Sequence, residues 1–206
     1  KNLSLRLFEF GKAYHSDGPG KYQENKQLCL VISGQLSEKG WKGSGKASDL
    51  FYLKGVVSSL MAAVGLKADE IKPLVVPKLS DHLAFVKDGK ILAGCGGVKK
   101  SLLEKFGIRQ HVFYAGLNWD LLVQEGEAGK TTFTELSRYP SVQRDLALVV
   151  DRSTRWEKVE HSVQNIRLDK LREIKLFDIF ESEKIGKDKK SLAVNFTFVD
   201  EEKTLT

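Results

Sequence analysis

Residues 138–150 read RYPSVQRDLALVV, residues 176–180 read LFDIF, and residues 190–198 read KSLAVNFTF. The last of these decides the fold of the C-terminal third. Strict alternation places Leu192, Val194, Phe196 and Phe198 on one face of a strand and Ser191, Ala193, Asn195 and Thr197 on the other. The first face is apolar and needs cover; the second is small and polar and stays open. Upstream, Asp145 to Val150 forms another such strand, with Asp145, Ala147 and Val149 opposite Leu146 and Leu148. Between them Trp156, Val159, Val163 and Ile166 recur at spacings of three and four. That spacing predicts an amphipathic helix, capped by Ser153 or Thr154, able to cover the apolar face. Leu171 to Phe180 is a further strand, joined to the last by a charged turn containing Gly186. The order strand, helix, strand, strand gives an α+β layer.

The 131 residues before it read differently. Leu3 to Tyr14 alternates well enough for a strand with both faces covered; His15 to Lys26 reads as a polar loop around Gly18-Pro19-Gly20, and Gln27 to Gly34 as an antiparallel partner strand. A Gly- and Lys-rich stretch, Lys39 to Lys46, carries Trp41. Ser48 or Asp49 caps a helix running to about Val64 and ended by Gly65. Leu74 to Val76 is a short strand, and Leu83 to Val86 with Ile91 to Ala93 a hairpin turned at Asp88-Gly89. A glycine cluster, Gly94 to Gly97, precedes a short helix (Lys99 to Phe106), a strand (Val112 to Leu117) and one helical turn from Asn118. Gly126, Gly129 and Lys130 mark a linker, so the expected domains are residues 1–131 and 132–206.

At 206 residues with 41% apolar composition, the chain is long enough for two modest cores. It has no apolar run near the roughly 20 residues of a membrane span and no leader-like segment, which predicts a cytoplasmic protein without membrane contact. Cys29 and Cys95 are too few for a disulfide framework, and the histidines at 15, 82, 111 and 161 lack ligand spacing, so no metal is expected and the thiols read as reduced and structural. The net charge of +6 permits a nucleic-acid partner without requiring one. Residues 1–131 hold 19 Lys and Arg against 13 Asp and Glu, and residues 132–206 hold 14 against 14, so the whole excess lies in the first part. Six of the eight arginines, however, lie after Thr132.

Four phrases occur in order in the last third: Tyr139-Pro140-Ser141-Val142 with Arg144-Asp145-Leu146-Ala147, then Leu176 to Phe180, then Ser191-Leu192-Ala193, then Glu202 to Thr206. Together they resemble the ferredoxin-like anticodon-binding domain of the bacterial phenylalanyl-tRNA synthetase beta-subunit family. Leu5 to Gly11, Trp41 and Asp49 to Gly55 resemble the family's class II synthetase-like domain immediately upstream. The resemblance implies an α+β chain: an antiparallel-sheet, catalytically inactive class II-like domain, incomplete at its N-terminus, followed by a ferredoxin-like sandwich truncated before its last helix and strand. It implies a heterotetramer of two alpha and two beta subunits that joins phenylalanine to its tRNA with ATP and magnesium, the chemistry residing in alpha. This chain would itself hold no cofactor; its partners would be the alpha subunit and phenylalanine tRNA.

An open sheet face suits single-stranded bases, which need a stacking surface and polar contacts. Ala147, Ser191, Ala193 and Asn195 are expected to line its floor, with Phe180 as the stacking aromatic beside it; the family usually has Tyr there. Arg144 falls on the core-side parity of its strand and could reach phosphate from the rim. Phe177 and Asp178 read as structural, one packing and the other hydrogen-bonded at the strand end. The Gly94 to Lys99 stretch has a nucleotide-loop spacing but ends in Lys without a partner motif, and Glu9 lacks the Arg that accompanies such a carboxylate at working class II sites. Departures from the family include the absence of His-Pro pairs around Ser80 to His82 and Gly97-Val98, and Gly116 in place of an acid. Two other readings stay open: an autonomous ATP-using enzyme, and a protein-interaction module without RNA binding, which the neutral last third suits.

Overall fold

The computed structural model describes residues 3–205 except 38, 39, 42, 127–132, 134 and 136. The chain divides into two compact units, Lys1–Thr131 and Thr132–Thr206. The residues of the expected linker after Gly126 lie outside the described ones, as do Lys39 and Lys42 of the Lys-rich stretch.

The first unit opens with β1 (Leu5–Ser16) and β2 (Tyr22–Ser33), paired from Leu5↔Ser33 to Ser16↔Tyr22. The expected loop from His15 to Lys26 therefore shrinks to Asp17–Lys21. Polar residues extend the hairpin because they pair across it, as in the Lys12 Nζ to Glu24 Oε1 bridge of 2.6 Å. The expectation that both faces of β1 are covered fails: β1 is an edge strand, and Phe8 is 77% exposed. A small ribbon of β3 (Gln35–Ser37) and β4 (Lys46–Ala47) leads to α1 (Leu50–Ala63), capped by Asp49, whose Oδ1 accepts from Tyr52 N–H at 2.6 Å.

Next come β5 (Glu70–Pro73), β6 (Leu79–Lys87) and β7 (Lys90–Val98). The strand expected at Leu74 to Val76 is displaced: Glu70–Pro73 pairs with Leu83–Val86, while Val75 leaves the sheet almost fully exposed ahead of Pro77. The hairpin turn falls at Asp88-Gly89, both with positive φ (48° and 74°), the conformation an Asp-Gly pair adopts at little cost. The glycine cluster is not a loop; it lies inside β7. A Cβ on Gly94 would sit 2.5 Å from His82 Nε2, and one on Gly96 2.9 Å from the Ser80 carbonyl oxygen, so these glycines admit residues of β6 lying tightly over the strand. After α2 (Lys100–Lys105), β8 (Val112–Asn118) and α3 (Trp119–Glu125) complete a six-stranded antiparallel sheet in the order β1-β2-β8-β7-β6-β5. Leu53, Val57 and Met61 of α1 and Leu122 of α3 pack with Leu28, Phe85, Ala93, Cys95, Ala115 and Leu117 into one core.

The second unit consists of β9 (Val142–Asp151), α4 (Trp156–Ile166), β10 (Leu171–Phe180) and, after a 3-10 turn at Glu183–Ile185, β11 (Lys189–Phe198). The strands form an antiparallel sheet in the order β10-β11-β9. Leu192 and Val194 on the central strand are its buried centre. Val163 of α4 lines a cleft with Leu171 and Ile174 on that same face. The predicted stripe holds for Trp156, Val159 and Val163, which are half-buried, but Ile166 in the last turn is exposed. Neither Ser153 nor Thr154 caps α4. Its N-cap is Arg155 without a side-chain bond, and Thr154 N–H closes a turn onto the Asp151 carbonyl at 2.9 Å instead.

Lys170 Nζ donates to Asp200 Oδ2 at 2.6 Å beside the start of β10, and Asp200 is buried. That hydrogen bond, followed by one from Glu202 N–H, holds the Asp200 carboxyl below the ordinary carboxylate range. A carboxyl depressed in the folded state contributes stability that is present above the ordinary carboxylate range and lost as pH falls through the folded value. Asp200→Asn is therefore expected to lower the melting temperature of the second unit at pH 7, with the gap to the parent closing as pH falls below that range. Thermal melts at pH 7, 4 and 2.5 check this; a gap independent of pH would contradict it.

Candidate RNA interface

The register of the second unit's sheet sets its two faces. On one lie the rows Leu148–Leu192–Ile179 and Leu146–Val194–Leu176; on the other lie Val149–Ser191–Phe180, Ala147–Ala193–Asp178 and Asp145–Asn195–Lys175. Five of the six expected site residues, Ala147, Phe180, Ser191, Ala193 and Asn195, thus share one face. Arg144 does not join them. It stands opposite Phe196 on the helix-side face, exposed, with its Nη1 donating to the Gln143 carbonyl at 3.1 Å.

Phe180 reaches the floor through an irregularity. Leu176 pairs with Val194 and Asp178 with Ala193, so Phe177 is an extra residue bulged out of the ladder. Regular alternation would have put Phe180 on the same face as Leu176. The bulge reverses parity, bringing Asp178 and Phe180 to the floor and leaving Phe177 half exposed rather than packed. Phe180 itself is 56% exposed, free to offer its ring.

The floor's polar groups are already ordered. Asn195 Nδ2 donates to Asp145 Oδ1 at 2.7 Å, and Thr197 Oγ1 donates to Asn195 Oδ1 at 3.3 Å. Asp178 Oδ1 accepts from Ile179 N–H at 2.8 Å, leaving its other oxygen outside that bond. The floor therefore presents carboxylate acceptors beside an aromatic, an arrangement that suits the amino and imino donors of bases better than phosphate. Sequence reasoning missed the placement of Asp178 and Lys175 there, because only the bulge and the register reveal it. Beyond the Phe180 end, Arg152 bridges Glu181 at 2.7 Å and, with Lys187 and Lys189, lines a shallow cleft.

The first unit's sheet also has a helix-free face, where Glu9, Cys29, Gly116 and Gly94 lie in one row. No arginine accompanies Glu9 in that row. His82 covers Gly94, and the Tyr114 hydroxyl lies over Gly116 within 3.4 Å of Cys29 Sγ. Burial and the Cys29 hydrogen bond push the Tyr114 hydroxyl up to about 12. Burial likewise lowers His82 and raises the Cys95 thiol to about 11. Among the described residues no three His, Cys, Asp or Glu side chains group to hold a metal, and no helix is long and apolar enough to cross a membrane.

Residues 1–119 match the family model of the phenylalanyl tRNA synthetase beta chain CLM domain, and residues 137–206 that of the ferredoxin-fold anticodon binding domain. The phenylalanine–tRNA ligase beta subunit of Bacteroides fragilis is 33% identical over all of this chain and 26% of its own length. That of Dehalococcoides mccartyi is 33% identical over 98% of the chain and 25% of its own length. The Listeria monocytogenes subunit is 30% identical, with coverages of 100% and 26%. The chain thus spans about a quarter of the relatives it matches. Among solved structures, pyrrolysyl-tRNA synthetase from Desulfitobacterium hafniense aligns with a TM-score of 0.45 at 19% identity, covering 66% of this chain and 48% of that one. By sequence, the chain belongs to the phenylalanine–tRNA ligase beta-subunit family and carries that family's CLM and anticodon-binding domains.

Proposed function

We propose that this chain serves a phenylalanine–tRNA ligase by holding the anticodon region of phenylalanine tRNA on the floor of its second unit, while its first unit packs on the catalytic alpha subunit. The observation that carries the RNA reading is the Phe177 bulge, which aligns Asp178 and Phe180 with Ala193 and Ser191 on one open face. A base stacked on Phe180 would gain roughly 1 to 3 kcal/mol, and the floor's acceptors would select among bases. Ala147 and Ala193 keep the floor low, and Asn195 is pre-positioned by Asp145. Arg144, on the far face, would touch RNA only from the rim.

In this reading the first unit performs no chemistry. His82 and Tyr114 occupy the space over the glycines of its helix-free face, and ATP and magnesium would belong to the alpha subunit. Packing on alpha, in an assembly of two alpha and two beta subunits, is supported by the edge hairpin, where Phe8, Phe10, Tyr14 and Tyr22 share one face and are each at least half exposed. Positioning the far end of the tRNA lowers the orientational cost of the reaction without any group here touching the bond made. Nuclease footprinting of phenylalanine tRNA with the chain is expected to show protection in the anticodon loop. Uniform cleavage there would overturn the reading.

A second reading, a protein-interaction module, is favoured by the zero net charge of residues 132–206. It predicts binding of a protein partner to the floor and no protection of any RNA.

A further inference from the structure

If the second unit, whose residues 132–206 carry no net charge, reads bases with an acceptor-bearing face, affinity for the polyanionic backbone must come from elsewhere. The whole net charge of +6 lies in residues 1–131, and residues 98–111 alone carry Lys99, Lys100, Lys105 and Arg109 against Glu104, a net of +3. That segment bends around a cleft of about 840 Å³. Val98, Leu103 and Ile108 form its apolar wall, and Lys99, Lys100 and Arg109 its cationic lip.

The cations are poorly neutralised. Lys100 approaches Glu104 at 3.7 Å, both well exposed, a contact of little energetic weight. Among the described residues Lys99, Lys105 and Arg109 have no carboxylate within ion-pair distance. The Lys78 carbonyl accepts from Lys99 N–H at 3.2 Å, fixing the backbone of the lip beside the start of β6. The Gln110 side chain is committed to the Leu3 carbonyl at 2.9 Å, fixing the chain beside Arg109.

We propose that this cleft, between the end of β7 and the residues following α2, binds the phosphodiester backbone of RNA, taking phosphates on Lys99 and Arg109 with a ribose or base against the apolar wall. An acidic protein segment would match the charge, but not the pairing of an apolar nucleotide-sized recess with a multi-donor lip, for which Arg is well suited. The inference rests on the reading of the chain as a tRNA binder and divides the labour within it: sequence-independent affinity in the first unit, base discrimination in the second.

The test compares the parent chain with Lys99→Ala/Arg109→Ala, both exposed positions, after matching melting temperatures. Phenylalanine tRNA, an anticodon-swapped tRNA and oligouridine are titrated by fluorescence anisotropy from 50 to 300 mM KCl. Each lost phosphate contact is expected to make the slope of log affinity against log salt shallower by about 0.7 to 0.9, so the double variant should lose about 1.5 for all three RNAs alike. The ratio between the two tRNAs should not change. An unchanged slope overturns the cleft even where the tRNAs are discriminated. A reduced slope without discrimination upholds the cleft and removes the anticodon reading instead. Failure of the parent to bind any of these RNAs overturns both, and tight polyglutamate binding that the double variant loses, with RNA affinity unchanged, would assign the cleft to an acidic protein.

Discussion

Phe180→Ala is expected to weaken binding of phenylalanine tRNA to this chain by about 5- to 150-fold, the equivalent of one lost base stack, and, because any base can stack on the ring, to weaken binding of an anticodon-swapped tRNA as well. Phe180 is 56% exposed and stands in the row Val149–Ser191–Phe180, so its removal opens no core cavity. The melting temperature should therefore stay near that of the parent, separating loss of a contact from loss of fold. Phe180→Tyr, which keeps the ring, should retain affinity. Equal affinities for the alanine variant and the parent would exclude Phe180 as a stacking platform. Phe177→Ala serves as a matched control, because that ring projects from the bulge and its loss should leave discrimination intact.

Phe85→Ala should destabilise the first unit by about 3 to 5 kcal/mol. Phe85 is 1% exposed and faces Ala93 on one side and Ile71 on the other within the six-stranded sheet. Its neighbours are strand residues held by ladders on both sides and cannot collapse far into the vacated space. Since domains typically unfold at a cost of about 5 to 15 kcal/mol, the variant should show a markedly lower urea midpoint. Phe106→Ala, at a site 74% exposed, should stay within about 0.5 kcal/mol of the parent. A difference below 1 kcal/mol for Phe85→Ala would mean that the two sides of this sheet are not packed as described.

The alternation of residues 191–198 made the two faces of the second unit legible, because β11 is the central strand and its pairing is regular across to β9. Its neighbour β10 was less legible. Nothing in LFDIF signals that Phe177 is bulged, and without the bulge Phe180 and Asp178 fall on the wrong side. The same limit appears in the first unit, where apolar Leu74 to Val76 looked more like a strand than the polar Glu70–Pro73, although an edge strand half in water tolerates the latter. The Asp88-Gly89 turn was readable because its chemistry is local. The sequence reading ends the second hairpin strand at Ala93, whereas β7 runs on through Gly94 to Gly97, because the reason for those glycines, the close approach of Ser80 and His82 from the adjacent strand, is tertiary. For the candidate site, alternation alone places Ala147, Ser191, Ala193 and Asn195 on one face and Arg144 on the other, and the register does the same; the arrival of Asp178 and Phe180 among the first four was not legible, because it depends on the bulge.

The central claim is that the floor of the second unit reads the anticodon. It is tested most directly by the affinity of this chain for phenylalanine tRNA against the same tRNA with a swapped anticodon, measured at low and moderate salt. The account predicts tighter binding of the unaltered tRNA by at least about fivefold, the low end of the discrimination one base-edge hydrogen-bond pairing with the floor's acceptors supplies. That ratio should persist as salt weakens both affinities together. Equal affinities for the two tRNAs at both salt concentrations, with the chain shown to be folded, would contradict it.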